Sequence, residues 1–267
     1  MADRPDEPGI LRPNLSRRHF DYRRHDPPPE LSGSLVNFWT VTWDLPAGET
    51  FTAQLLPYPS VNLSCTDTEE DVTGLTRRRH QRHLKGSGYA VGARFRPACF
   101  RPYVDFPVSE LTDRHRPIAE VLGRDTVELA AMVAAEPVVE RRVDLLSGFL
   151  LGLEPRPDPL ARQLAEVVEQ MAVDQTLTRV TQVAALTGWT VRRLQRCFAD
   201  YVGAGPKWVL QRCRLQDAAA RAAADEPVDW AELAAELGFA DQAHLTRAFT
   251  ATIGVSPAAY AEQARSD

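Results

Sequence analysis

The 267-residue chain has no long hydrophobic run, few cysteines and no excess of basic charge. Its longest apolar stretches, such as residues 129–135, are far shorter than the roughly 20 residues that span a bilayer. The N-terminus lacks the apolar segment of a signal peptide. We therefore expect no membrane contact and a cytoplasmic location. The net charge of -5 does not by itself indicate a nucleic-acid binder.

Only four cysteines occur, scattered and without a Cys-x-x-Cys pair. This excludes a disulfide framework and a four-thiolate zinc knuckle. The basic stretch 77–83 contains His80 and His83, but no third ligand lies at a recognisable spacing, so we expect no metal and no cofactor. We interpret this stretch as a solvated loop whose role is open. Cys197 and Cys213 lie in amphipathic segments and are expected to be buried.

Charge, proline and periodicity predict an α+β chain in four parts. Residues 1–30 have nearly balanced charge and end in three prolines, which is typical of a flexible arm. Short alternating runs within 31–112 indicate a β-rich, sensor-like domain, either a small β-barrel or a sandwich. A helical period over 113–155 indicates a helical connector. Three alternating prolines then separate it from a wholly helical domain over 158–264.

Seven helices are predicted in the C-terminal domain, separated by glycine, proline and polar caps. The predicted segments are 160–171, 180–186, 191–202, 206–224, 230–237, 242–253 and 257–264. The candidate caps are Asp158, Thr178, Thr190, Asp229, Asp241 and Ser256.

An internal repeat organises these helices. The pattern Leu194-x-Arg196-x-Phe198-x4-Gly203-x2-Pro206 recurs, five identities at one constant displacement, as Leu245-x-Arg247-x-Phe249-x4-Gly254-x2-Pro257. Gly188 and Gly238 precede the two copies, each followed by an aromatic residue. A short helix, a glycine turn and a longer helix is the layout of a helix-turn-helix. The sequence therefore predicts two such units in tandem.

The helical period assigns each longer helix an apolar face and a polar face. Arginine and glutamine on the polar faces are the side chains that pair with guanine and adenine edges. We predict base contacts in double-stranded DNA by Arg192, Gln195, Arg196, Gln242, Ala243, His244, Thr246 and Arg247. Arg193 and Lys207 are candidates for phosphate contacts. Residues 188–221 carry seven basic residues against two acidic ones, which favours this reading.

The C-terminal half, over about residues 158–264, resembles the DNA-binding module of the AraC/XylS family of bacterial transcription regulators. The resemblance rests on the Gly-aromatic, Leu/Phe-x-Arg-x-Phe and Gly-x-x-Pro elements of each unit and on Arg214-Leu215 and Ala218. It implies that a helix of each unit reads bases, and that RNA polymerase is a partner. The motifs at 92–97 and 106–113 resemble an uncharacterised sensor-like domain that precedes this module in many bacterial regulators.

These patterns predict a transcription regulator, not an enzyme, that reads two adjacent major grooves with the helices around 190–202 and 241–253. Control by a small-molecule effector or by homodimerisation through the N-terminal domain is left open. Trp39, Trp43 and Tyr58 are candidates for an effector pocket, although such residues are more often plain core or surface aromatics. The alternative is a DNA-binding module fused to a repair methyltransferase. The sequences around Cys65 and Cys99 lack the Pro-Cys-His-like setting that this enzyme needs.

Overall fold

Strands occupy the first part of the chain and helices the second. The computed structural model describes residues 18–55, 58–77, 80–224 and 228–266. The strands in this part of the chain are β1 (Asp21–His25), β2 (Leu35–Asp44), β3 (Thr50–Leu55), β4 (Asn62–Thr66), β5 (Glu70–Thr73), β6 (His80–Lys85), β7 (Ser87–Phe95) and β8 (His115–Pro117). The helices are α1 (Ile118–Leu122), α2 (Val127–Ala135), α3 (Val139–Leu151), α4 (Pro159–Val173), α5 (Val180–Thr187), α6 (Val191–Tyr201), α7 (Pro206–Ala222), α8 (Trp230–Glu236), α9 (Gln242–Ile253) and α10 (Pro257–Ser266).

Six strands form an antiparallel sheet in the order β1-β2-β7-β4-β5-β8, and β3 and β6 form a separate two-stranded antiparallel sheet. A small apolar cluster that includes Phe20, Leu45, Ala53 and Leu84 packs the two-stranded sheet against one face of the six-stranded sheet. The α+β class is confirmed, but within the described residues the two sheets stay open. The closed barrel, one of the two expected shapes, is therefore not formed.

Two strands lie where the sequence predicted irregular chain. Asp21–His25, inside the expected flexible arm, pairs with β2 in the register Tyr22↔Val41. His80–Lys85, which overlaps the expected solvated loop at residues 80–83, pairs with β3. Both strands are rich in charged residues, which suits sheet edges and hides the apolar alternation by which strands are recognised. Residues 1–17 of the arm and 78–79 of the loop lie outside the described residues.

The connector helices cover the other face of the sheet. Phe38, Leu63 and Val91 point from the sheet into a core that also contains Ile118 of α1 and Leu146 of α3. All five side chains have no exposed surface. The helical connector predicted over 113–155 thus forms part of the N-terminal core rather than a free linker.

Helices α4 to α10 match the seven predicted segments to within two residues at each end. Asp158, Thr190, Asp229, Asp241 and Ser256 accept hydrogen bonds from backbone N–H groups in the first turn of their helices, as expected. Thr178 is the exception, because the residue at the N-cap of α5 is Arg179, and Thr178 instead donates its backbone N–H to Gln182. No helix of the described residues is long and apolar enough to cross a membrane.

The N-terminal domain packs directly on the first helical unit. Leu75, fully buried, lies in the same apolar core as Leu164, Leu194 and Phe198. Four polar contacts surround this seam: Arg96 with Glu169, Arg101 with Asp200 at 2.9 Å, Thr112 to the Gly203 carbonyl at 2.7 Å, and Arg212 to the Arg77 carbonyl at 3.1 Å. The first unit is therefore fixed to the strand domain by both apolar and polar contacts.

Truncation of Leu194 tests the phase of α6. Its side chain has no exposed surface, so Leu194→Ala removes buried methyl groups and leaves a cavity. We expect the free energy of unfolding in urea to fall by about 2–5 kcal/mol. Leu186→Ala, at a side chain 55% exposed, is the control and should change it by less than about 0.5 kcal/mol. Equal effects of the two substitutions would contradict the assigned phase.

Candidate nucleic-acid interface

Each helical unit turns at a glycine in the left-handed conformation. Gly188 follows α5 with φ 67° and Gly238 follows α8 with φ 68°. The next residue in each unit then donates its backbone N–H back into the preceding helix, Trp189 to Ala184 and Phe239 to Ala234. Since side chains other than glycine are strained at such φ values, the sequence sets this turn in both units.

The second helix of each unit begins at a side-chain cap directly after the turn. Thr190 accepts from the backbone N–H of Arg193 at 3.2 Å and starts α6. Asp241 accepts from the backbone N–H of His244 at 2.6 Å and starts α9. The caps fix where each helix begins, and with it the direction in which the residues of its first turns project.

A buried apolar face anchors each of these helices. Leu194 and Phe198 of α6 have no exposed surface and lie in the first helical core, and Leu245 and Phe249 of α9 lie likewise in the second. These residues are the Leu and Phe of the internal repeat. Their burial confirms the predicted phase and turns the opposite face of each helix to solvent.

The predicted DNA-contacting residues lie on the solvent faces. Thr246 is half-buried, and the side chains of the other predicted residues are exposed: Arg192, Arg193, Gln195, Arg196, Lys207, Gln242, Ala243, His244 and Arg247. Arg196 and Arg247 occupy equivalent places in the two units. The structure thus forms one exposed polar ridge on α6 and a second on α9.

Two of these side chains also contact the turns beside them. The Arg193 guanidinium lies 4.4 Å from the centroid of the Trp189 ring, so it is turned toward the glycine turn. His244 packs edge-on against Phe239, and its Nδ1 accepts from the backbone N–H of Ala240 at 3.4 Å. A neutral His244 ring that accepts at Nδ1 carries its proton on Nε2 and can donate outward.

The local positive charge is smaller at the surface than the sequence count indicated. Arg212 is only 3% exposed, stacks on Trp208, and burial lowers its pKa to about 10. Arg214 donates to the Thr178 carbonyl, and Arg221 pairs with Glu236. These three arginines join parts of the protein to one another. Of the seven basic residues in 188–221, four remain as exposed cations: Arg192, Arg193, Arg196 and Lys207.

The cysteines are unsuited to nucleophilic chemistry. All four are free and buried. Burial raises the pKa of Cys65 to about 12 and that of Cys99 to about 11, which keeps both as thiols at neutral pH. Cys197 and Cys213 are buried in the helical core, as predicted. Among the described residues no group of three or more His, Cys, Asp or Glu side chains could hold a metal ion.

Trp39, Trp43 and Tyr58 come together in the N-terminal domain. All three line one cavity of about 450 Å³ between the six-stranded sheet and the two-stranded β3–β6 sheet. Each is half-buried, as expected for a cavity wall. The volume lies in the range of small-molecule sites, about 300–1,000 Å³. Their role as ligand contacts stays a prediction.

Sequence reasoning missed the polar residues of this cavity. Arg94 on β7 and Ser60 before β4 both line it. A signal was present in the alternation of β7, because Gly88, Ala90, Gly92 and Arg94 share the face opposite the apolar core. Glycine in a strand indicates a close approach of another group, and here that group is an indole ring.

The chain matches two known domain families. Residues 162–263 match a family described as a helix-turn-helix domain, and residues 23–117 match a domain of unknown function, DUF6597. The first match covers both helical units and the helix between them. The second match covers the six-stranded sheet, except the first two residues of β1, and the two-stranded sheet. Its description names no ligand.

Solved structures with some likeness include ToxT from Vibrio cholerae, 9% identical over 92% of this chain and 98% of that one, with a TM-score of 0.42. An apo variant of ToxT from the same species is 12% identical over 85% and 97%, with a TM-score of 0.40. The DNA-binding domain of the global transcriptional factor AdpA, in complex with a target DNA, is 28% identical over 41% and 96%, with a TM-score of 0.33. TM-scores below 0.5 are too low to assign this chain their function. No curated protein matches the chain.

The two turn glycines offer a matched pair of substitutions. Alanine at either position is strained by its positive φ, which costs about 1–2 kcal/mol. A Cβ on Gly188 meets nothing within 4 Å, whereas a Cβ on Gly238 would lie 2.8 Å from the methyl group of Thr178. We expect Gly238→Ala to lower the free energy of unfolding in urea more than Gly188→Ala does.

Removal of the clash partner provides the control. In a Thr178→Gly background the difference between the two alanine substitutions should disappear, because only the φ strain remains. A difference that persists in that background would show that the contact between the Gly238 turn and Thr178 does not form.

Proposed function

We infer that this chain, whose residues 162–263 are a helix-turn-helix domain of the AraC type, is a DNA-binding transcription regulator. We further propose that it binds DNA sequence-specifically, acts in the cytoplasm, and has no enzymatic activity of its own. RNA polymerase is the partner through which a bound regulator of this kind would act.

One observation carries the sequence-specific reading. Arg196 and Arg247 occupy the same place in two units that repeat the same turn, cap and buried apolar face. A lone exposed arginine is typical of any helix surface. Its recurrence on two helices that each also expose a glutamine, Gln195 on α6 and Gln242 in the first turn of α9, supplies in both units side chains that pair with base edges.

The helix between the units supports reading of one continuous site. Pro206–Ala222 has 17 residues and is about 25 Å long at 1.5 Å per residue. A rod of this length suits two recognition helices in neighbouring major grooves, which lie about 34 Å apart. We propose that α6 and α9 enter these grooves, with Arg192, Gln195 and Arg196 in one and Gln242, His244, Thr246 and Arg247 in the other.

The remaining candidates have smaller roles in this proposal. Ala243 has no hydrogen-bonding group, so it can make only an apolar contact with a base. Lys207 is exposed at the first turn of α7, and Arg193 lies against Trp189, positions that suit phosphate contacts. Both would position the protein on the duplex without reading its sequence.

Control is proposed to enter through the N-terminal domain. Its packing on the first helical unit, through Leu75, Arg101 and Thr112, provides a physical route to α6. A small molecule in the cavity lined by Trp39, Trp43 and Tyr58, or a second copy of the chain, would act along this route. The alternative of a fused repair methyltransferase is disfavoured by the buried, protonated thiols of Cys65 and Cys99.

Alanine at Arg196 tests base reading by the first unit. If the guanidinium pairs with a base, Arg196→Ala should weaken binding to a DNA site selected from a random pool by about 1–3 kcal/mol. Binding to random DNA should change much less. Titration of both duplexes, followed by fluorescence anisotropy, measures the difference.

Two controls make this result interpretable. Arg247→Ala should give a loss of similar size at the same site, because the two arginines are equivalent by the repeat. Arg141→Ala, on the exposed face of α3, should leave both affinities unchanged. Equal losses on selected and random DNA for Arg196→Ala would mark it as a phosphate contact and contradict the proposal.

The salt dependence of binding tests Lys207. A cation that touches a phosphate releases a counterion on binding, so Lys207→Ala should reduce the slope of log K against log salt concentration by about one. The same slope as the unsubstituted protein would remove Lys207 from the interface.

A further inference from the structure

We propose that the cavity between the six-stranded sheet and the two-stranded β3–β6 sheet binds an amphipathic organic anion, with Arg94, Ser60 and Trp39 holding its acidic group. The proposal deepens the control step of the proposed function, on which its regulatory meaning rests. It assigns the chemical class of the effector and the residue that selects for it.

Two tryptophan–glycine pairs across neighbouring strands form the floor of the cavity. Trp39 lies opposite Gly92, and Trp43 lies opposite Gly88, in the register of β2 and β7. A Cβ on Gly92 would lie 2.3 Å from Cζ2 of Trp39, and a Cβ on Gly88 would lie 2.4 Å from Cζ2 of Trp43. Each glycine therefore lets an indole lie across the sheet, which gives a flat apolar surface for a ligand body.

Three hydrogen-bond donors meet at one end of this floor without partners. Nε1 of Trp39, Oγ of Ser60 and Nε of Arg94 are buried and make no hydrogen bond in the described part of the chain. Ser60 is only 4% exposed. Trp and Arg can only donate, so an acceptor-rich group satisfies this set, and burial of such donors without an acceptor is unfavourable.

Arg94 supplies the charge at this end. Its guanidinium stacks near the ring of Tyr58, 5.9 Å from the centroid, and no carboxylate of the described residues forms an ion pair with it. Its strand partners are Asn37 and Asn62, which are neutral. An anionic oxygen is the group that pairs best with an arginine in such a setting.

The charges at the other end of the cavity balance one another. Asp67 and Glu69 lie beside Thr66, which pairs with Ala90, four residues from Arg94 and about 13 Å along the strand. Arg82 and Lys85 also line the cavity and offset these two carboxylates. Arg82 and Glu69 both act on the pKa of His115, which places them close together. The end of the cavity with net positive charge is therefore the Arg94 end. We place the acidic group of the ligand at this end and its apolar body toward the other.

The cavity wall continues into the seam with the first helical unit. Gly74 and Thr76 line the cavity, while Leu75 between them is buried among the helices. Arg94 on β7 faces the cavity. Arg96, the first residue after β7, pairs with Glu169 of α4. A ligand held at Arg94 thus contacts the segments that join the two domains.

Calorimetric titration of the full chain, without DNA, tests the ligand class. Two acids of different shape, 4-phenylbutanoate and 1-naphthaleneacetate, are each compared with the neutral amide of the same skeleton. A charge-assisted pair with Arg94 should make at least one acid bind about tenfold tighter than its amide. Equal binding of acid and amide in both pairs, or no binding of any probe, would overturn the proposal.

Variants locate the anion. Arg94→Met should abolish the preference for acid over amide and leave amide binding in place, while the matched Arg141→Met on the exposed face of α3 should keep the preference. Ser60→Ala, which removes only one buried hydroxyl, should reduce the preference for acid over amide. This variant still tests the assignment if Arg94→Met fails to fold. A preference that survives Arg94→Met would also overturn the assignment. These titrations contain no DNA. A negative result would therefore overturn the ligand proposal and leave the DNA-binding proposal intact, and a failure to bind DNA would not change the titrations.

Discussion

The buried apolar stripe of each recognition helix, fixed behind a left-handed glycine, is the constraint on which the rest depends. Leu194 and Phe198 hold α6 by one face, as Leu245 and Phe249 hold α9, and all four have no exposed surface. A helix anchored on one side and capped at its first residue has one orientation, so its polar ridge is preorganised before DNA arrives. Binding then loses little conformational entropy in the protein.

The two units are anchored in different ways, and this asymmetry has a functional consequence. The first unit shares a core with Leu75 and an ion pair, Arg101–Asp200, with the strand domain. The core of the second unit contains residues of α7 to α10 alone. A change in the N-terminal domain therefore reaches α6 first, and α9 through α7 and through the contact of the Gly238 turn with Thr178. Arginines that entered the local charge count of residues 188–221, Arg212 among them, instead stabilise these connections.

Sequence was most informative where local chemistry decides the structure. The repeat, the turn glycines and five of six caps follow from backbone geometry and short-range hydrogen bonds, so helix bounds and exposed faces could be predicted. The edge strands β1 and β6 escaped because their charged residues hide the strand alternation. The cavity was predicted only in part, because Trp39 and Gly92 are distant in sequence and come together only through the register of β2 and β7.

The most direct test of two preorganised ridges is the selection of DNA sites from a random pool by the unsubstituted protein, Arg196→Ala and Arg247→Ala. Two units in neighbouring major grooves should yield a site with two blocks of preference about one helical turn, roughly 10 base pairs, apart. Each substitution should relax the preference in one block, and a different one. A single block of preference, or the same positions relaxed by both substitutions, would contradict the account.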